Sequence, residues 1–178
     1  QVLYELPPPS EIPFLLEATG ADYDESLPNT LEKADNYLSS EYHTALNLGI
    51  YSADIGYLAS YEEVQPALNY MQAARSMANS LSLDNTLDED LITRFERNLS
   101  SKDSLASIID EVIENADVTL KKSKREKTAA LILAGSYIEG LYLATAIIEN
   151  YPKDVLPDAA RATILVPVIK IVVDEEKT

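Results

Sequence analysis

Two carboxylates stand where carboxylates are costly. Asp54 lies inside the apolar run 44–61 (TALNLGIYSADIGYLASY), and Glu139 lies inside 129–148 (AALILAGSYIEGLYLATAII). An ionised acid in apolar surroundings needs a pairing cation, good hydrogen bonds or a proton. Two such acids brought together allow three kinds of chemistry. With pKa values pushed apart they serve as general acid and base. Lining a pocket they anchor a ligand. Fully hydrogen-bonded, they form a network that fixes helix register.

Helical spacing says which side chains accompany them. Asn47, Tyr51, Asp54, Leu58 and Tyr61 recur at steps of four, three, four and three, so they share one helix face. Ser136, Glu139 and Tyr142 do the same on the second run, where Gly135 leaves room beside them. The hydroxyls of Tyr51, Tyr57 and Tyr142 and the amide of Asn47 are natural partners for the acids. Arg75 falls on an apolar stripe between Met71 and Ala78 and is the expected cation. These seven residues, Asn47, Tyr51, Asp54, Tyr57, Arg75, Glu139 and Tyr142, are the candidate binding set; no catalytic residue is assigned.

Other chemistries lack their residues. There is no cysteine, which removes disulfides, thiol nucleophiles and thiolate metal sites. His43, the one histidine, has no glutamate three residues before it and no triad context, so di-iron and serine-type sites have no support. The run 84–90 (DNTLDED) lacks the glycine and terminal glutamate of a calcium loop. The glycines are not spaced to cradle phosphate. No metal and no cofactor is expected. With 30 acidic against 14 basic residues and a net charge of −16, the chain repels nucleic acid and anionic membranes. The 11 tyrosines against 2 phenylalanines and no tryptophan suit packing at core boundaries and recognition surfaces alike.

The elements that must carry these residues read at helical period almost throughout. Helices are expected over 11–19, from a capping box at Asn29 and Glu32 to about Leu38, from Ser39 or Ser40 to Ser60, and from Glu63 with Pro66 in the first turn. Further helices start at Thr86 with Glu89, at Ser100 with Asp103, and at Ser123 with Glu126. The stripe Leu105, Ile108, Ile109, Val112, Ile113, Ala116 and Leu120 is the clearest amphipathic face. A Pro-kinked helix is expected from Pro157 onward. The reading is therefore all-α: an extended Pro-rich arm over 1–9, then one bundle of about eight helices over 10–178, built around the two apolar helices. The run 129–148 has the length of a membrane span. Its central acid costs about 2.5–3.5 kcal/mol in a bilayer, and the reading is a buried helix of a soluble bundle.

The two apolar helices also echo each other. At an offset of 85 residues Ala45, Leu46, Leu48, Asp54, Tyr57, Leu58, Ala59 and Ser60 align with Ala130, Leu131, Leu133, Glu139, Tyr142, Leu143, Ala144 and Thr145. A duplicated helical unit explains this, and so does convergence of two apolar helices on the same letters.

The segments NLGIYSADIGY (47–57), RFERNLSSKDSL (94–105) and AALILAGSYIEGLYLAT (129–145) resemble a family of uncharacterised exported helical proteins of Gram-negative bacteria, many of them labelled lipoproteins. The resemblance implies a helical fold and a periplasmic or outer-membrane address, with a lipid anchor on a cysteine upstream of Gln1. It implies no activity and no catalytic residue. The functional expectation is a non-enzymatic envelope protein that binds a small ligand or a protein partner. The alternatives are an enzyme using Asp54 and Glu139 in an interhelical pocket, and a structural scaffold.

Overall fold

The computed structural model describes residues 11–17, 21–84, 86–98 and 101–150. Among these all regular secondary structure is helical, with no strand: α1 Glu11–Glu17, a 3₁₀ helix Leu31–Ser39, α2 Glu41–Ser60, α3 Val64–Ser80, α4 Glu89–Arg97, α5 Lys102–Lys122 and α6 Glu126–Asn150. The expected arm over 1–9 and the helix from Pro157 lie outside the described residues.

The segment expected as a regular helix from Asn29 is instead a nine-residue 3₁₀ helix capped by the Thr30 hydroxyl. Such helices seldom run past a few residues. Here three residues per turn put Leu31, Ala34 and Tyr37 on one face, and all three pack on the main core. The cap before α4 is Asp88, whose Oδ1 accepts from the Leu91 amide at 2.9 Å, rather than Thr86. Ser123, expected to start α6, closes α5 and donates its hydroxyl to the Thr119 carbonyl. The helix expected at Ser100 takes Ser101 as its cap residue.

Three turns close on left-handed residues that are not glycine: Glu62, Ser82 and Lys124, with φ of 61°, 60° and 58°. In each, the residue after the turn donates five positions back, Glu63 to Leu58, Leu83 to Ala78 and Arg125 to Leu120. These closures let α2 and α3, and α5 and α6, fold back on each other.

α2 is buried over all of residues 51–60. α3 covers one side of it with Ala67, Met71, Ala74, Met77 and Ala78, all buried. α5 adds the stripe read from the sequence, with Leu105, Ile108, Ile109, Val112, Ala116 and Leu120 buried. A second, smaller cluster of Ile12, Ala21, Leu27, Tyr57, Leu143, Ala144 and Ile147 forms where α1 packs on α2 and α6.

α2 and α6 run parallel and in register. Glu41 bonds Arg125 and Thr128 at their starts, at 2.8 and 2.6 Å. Further along, a Cβ on Gly49 would stand 1.9 Å from the Ile132 carbonyl oxygen, and one on Gly135 would stand 2.0 Å from that of Leu46. Each glycine thus faces the carbonyl three residues before the other. Only glycine permits this backbone-to-backbone crossing.

Candidate functional site

One turn beyond the glycine crossing, the two acids meet. Asp54 is fully buried and Glu139 is 6% exposed. Asn29 lies between them. Its backbone N–H and its side-chain amide donate to Asp54 Oδ2, at 3.1 and 3.2 Å, and its side chain also reaches Glu139. Burial, then the neighbouring Glu139 carboxyl, push the Asp54 pKa well above the usual carboxylate range, against the Asn29 hydrogen bonds. Burial raises Glu139 as well, and the Asn29 amide opposes it. Asp54 Oδ1 and Glu139 Oε1 are buried without a hydrogen-bond partner among the described residues. Two like charges in a dry site cannot both ionise cheaply, and taking up a proton relieves the cost of burying them.

The tyrosines serve the same segment. Tyr51 donates to the Thr30 carbonyl at 2.7 Å, and Tyr70 donates to the Asn29 carbonyl. The Tyr57 hydroxyl accepts from the Asp24 amide at 2.9 Å and donates to the Asp24 carbonyl at 3.3 Å. Asp24 Oδ1 in turn accepts from the Ser26 amide and hydroxyl, which closes the turn. The rings gather in two groups along α2. Tyr23, Tyr57 and Tyr61 have centroids 5.0–5.7 Å apart. Tyr51 lies 6.5 Å from Tyr37 and 5.7 Å from Tyr70. Burial raises the pKa of Tyr51 and Tyr57, and that of Tyr23 and Tyr70 to about 12, so these hydroxyls stay protonated donors at neutral pH.

Of the seven expected residues, Asp54, Glu139 and Tyr51 come together, and Tyr57 anchors the other end of the same loop. Asn47 is turned to its own helix, donating to the His43 carbonyl at 2.9 Å. Tyr142 is 48% exposed, away from the pair. Arg75 is half-buried on α3, and the groups that act on Asp54 are Glu139 and Asn29, not Arg75. The partner of the acids is therefore an amide. Asn29 was legible only as a helix cap, because the bond joining it to Asp54 spans 25 residues of chain.

Two cavities lie away from the acids. A small apolar one of about 20 Å³ is lined by Ser52, Ile55, Met71, Ala74 and side chains of α4 and α5. A groove of about 300 Å³ runs between the 3₁₀ helix and α3, lined by Leu31, Ala34, Asp35 and Leu38 on one wall and Asn69, Gln72, Ala73 and Ser76 on the other. No tyrosine lines it, contrary to the groove that a tyrosine-rich binding surface implies. Among the described residues no group of three or more His, Cys, Asp or Glu is placed to hold a metal ion. One described helix stretch, Glu126–Ile147, is long and apolar enough to cross a membrane, and 44% of its most apolar window is buried. In comparisons with protein-family models, curated proteins and solved structures, nothing matched the chain.

Proposed function

We propose that this chain is a non-enzymatic helical binding domain, and that its ligand is a short polar or cationic segment held in the groove between the 3₁₀ helix and α3. One observation carries the reading. Asp54 Oδ2 and the hydroxyls of Tyr51, Tyr57 and Tyr70 all bond the 24–30 loop, which leads directly into the groove wall. Buried hydrogen bonds of this kind fix a segment in position, and pre-placed walls lower the ordering cost of binding. Leu31, Ala34, Leu38 and Ala73 offer apolar contact, Asn69 and Gln72 offer amide donors and acceptors, and Asp35 is the charged group. The net charge of −16 favours a cationic partner and raises its on-rate.

Titration of ¹⁵N-labelled protein with an Arg- and Lys-containing tetrapeptide tests this, with a Glu-containing tetrapeptide as comparison. Expected are amide shifts confined to 31–38 and 69–76 with the basic peptide, weakened by Asp35→Lys. Absence of shifts there with either peptide overturns the reading.

A second reading makes Asp54 and Glu139 the acid and base of an enzyme. What favours it is their proximity and their raised pKa values. It requires the 24–30 loop to lift, because neither carboxyl is open to a substrate. It predicts that a ligand shifts the amides around residues 54 and 139 first. The envelope address, the lipid anchor and two apolar helices at the centre of the bundle belong to the proposal as well; fractionation of the source cell tests the address.

A further inference from the structure

The segment 24–39 is fastened to the bundle by side chains of other elements. Asp54 Oδ2 accepts from the backbone and side-chain amides of Asn29 at 3.1 and 3.2 Å. Tyr51 donates to the Thr30 carbonyl, Tyr70 to that of Asn29, and Tyr57 exchanges two bonds with the Asp24 backbone. The segment holds itself weakly. Leu27 and Ala34 are its buried residues. Its bonds from the Leu27 amide to the Asp24 carbonyl and from the Lys33 amide to the Thr30 carbonyl are long, at 3.3 and 3.4 Å. Few buried contacts and weak internal bonds give a segment low local stability. The acids beneath it sit beside the opposite kind of contact, for α2 and α6 cross backbone to backbone at Gly49 and Gly135. Lifting the segment therefore brings water to Asp54 and Glu139 at less cost than parting the two helices.

Of the four side chains that fasten the segment, Asp54 alone changes charge near neutral pH, because the tyrosine hydroxyls stay protonated there. Glu139 faces it from α6, and Asn29 reaches both acids. The other neighbours are uncharged. Tyr51 and Tyr57 stand to either side on α2, Tyr70 of α3 and Tyr37 of the 3₁₀ helix pack on Tyr51, α1 brings Ile12 to Gly140 and Pro13 to Gly56, and α5 brings Ile109 to Gly56. The Asp24 carboxylate turns to Ser26, and Arg75 of α3 is not among the groups that act on the pair. One ionised carboxyl is met by the Asn29 donors. A second is not, because Asp54 Oδ1 and Glu139 Oε1 have no donor among the described residues.

We propose that the two acids form a proton-operated latch on the segment 24–39: while one carboxyl keeps its proton the segment is shut, and when both ionise it lifts off α2 and the rest of the bundle stays folded. The sign follows from linkage. The shut form binds protons more tightly than the lifted form, in which both acids meet water, so rising pH favours lifting. The ratio of lifted to shut changes by up to about tenfold per pH unit for one proton released. The latch stands whether or not the groove binds a ligand; where it does, the proton holds the 3₁₀ wall of that groove in place.

Amide hydrogen exchange of the full chain tests the latch without any ligand, so its failure and the failure of the groove reading are separate results. Exchange is followed by NMR from pH 5 to pH 9 at constant salt and corrected for intrinsic base catalysis. Expected is a fall in the protection of Leu27, Asn29 and Lys33 by roughly tenfold or more over this range, relative to the buried Ile109 and Val112 of α5. The fall should have the midpoint at which the ¹³Cγ shift of Asp54 titrates, a comparison that needs no variant. Asp54→Asn keeps an acceptor for Asn29 and removes one charge, and Glu139→Gln removes the other; in each the fall should vanish. Unchanged protection at 27–33, or a fall shared equally by α5, overturns the proposal. A fall that persists in both variants, or whose midpoint differs from that of Asp54, assigns the opening to another group and overturns it too. Loss of protection at Leu48 and Ile132 along with 24–39 shows the helices parting instead, which also overturns it.

Discussion

α2 and α6 carry the same kind of sequence, meet face to face and differ on their backs. α2 is enclosed over a full ten residues, while α6 shows Leu133, Ile138 and Tyr142 to solvent among the described residues. Both helices are apolar nearly all round, so composition alone gives them the same place in a bundle. Among the described residues α2 packs against α1, the 3₁₀ helix, α3, α5 and α6, and α6 packs chiefly against α2, α5 and α1. An apolar helix becomes central only through its neighbours. Each helix also contributes one acid to the shared face, where Asn29 from the loop serves both.

The largest effects should come from breaking the shared crossing. Gly49→Ala and Gly135→Ala each drive a methyl into a backbone carbonyl, and backbone moves less easily than a side-chain end. Each should cost more than about 3 kcal/mol in denaturant unfolding, and the two costs should be similar because the contact is reciprocal. Gly56→Ala and Gly140→Ala separate this crossing from the α1 end. Their added methyls meet Pro13 and Ile12 side chains at 3.3 and 3.2 Å, and each should cost below about 1.5 kcal/mol.

The tyrosines sharpen the comparison between the helices. Tyr51→Phe removes a buried donor to the Thr30 carbonyl and should cost about 1–2 kcal/mol. Tyr142→Phe, at the echo counterpart of Tyr57, should stay within about 0.5 kcal/mol of wild type. At the turn joining α5 to α6, Lys124→Gly relieves a left-handed conformation and should stabilise by about 1 kcal/mol. Thermal or denaturant unfolding reads all three.

What the sequence made legible was whatever repeats at helical period. The α5 stripe and the burial of Asp54 and Glu139 follow from the spacing of apolar residues, but that the two acids meet does not. Long-range and local backbone chemistry stayed hidden. Asn29 reads as a cap because its bond to Asp54 crosses 25 residues of chain. Arg75 reads as the cation because charge complementarity is the simplest way to bury an acid, yet the Asn29 amide serves here. The turns at Glu62, Ser82 and Lys124 carry no glycine signal. The 3₁₀ helix has no sequence signal of its own because its apolar residues fit both periods over so short a stretch. The groove has no sequence signal because Asn69, Gln72 and Ser76 look like any solvated helix face.

The central claim is that burial raises the proton affinity of Asp54 and Glu139 at the α2–α6 contact. Both folded-state pKa values are raised, so the folded chain binds protons more tightly than the unfolded one. The stability this contributes is fully present below the unfolded carboxylate pKa and is lost as pH rises through the raised folded values. Exposed acids with lowered pKa, such as Asp24, Glu41 and Glu111, act in the opposite sense, but they are common to wild type and variants and cancel in the difference. The decisive measurement is the unfolding free energy of wild type, Asp54→Asn, Glu139→Gln and the double variant at intervals from pH 4 to pH 8. The account predicts that wild type loses stability relative to Asp54→Asn as pH rises. At neutral pH the single variants should match or exceed wild type, and the double variant should fall short of additivity. A wild type minus Asp54→Asn difference that is flat across this range, or that favours wild type more at high pH, contradicts raised proton affinity at the buried pair. The carboxyls would then be held as independent charges.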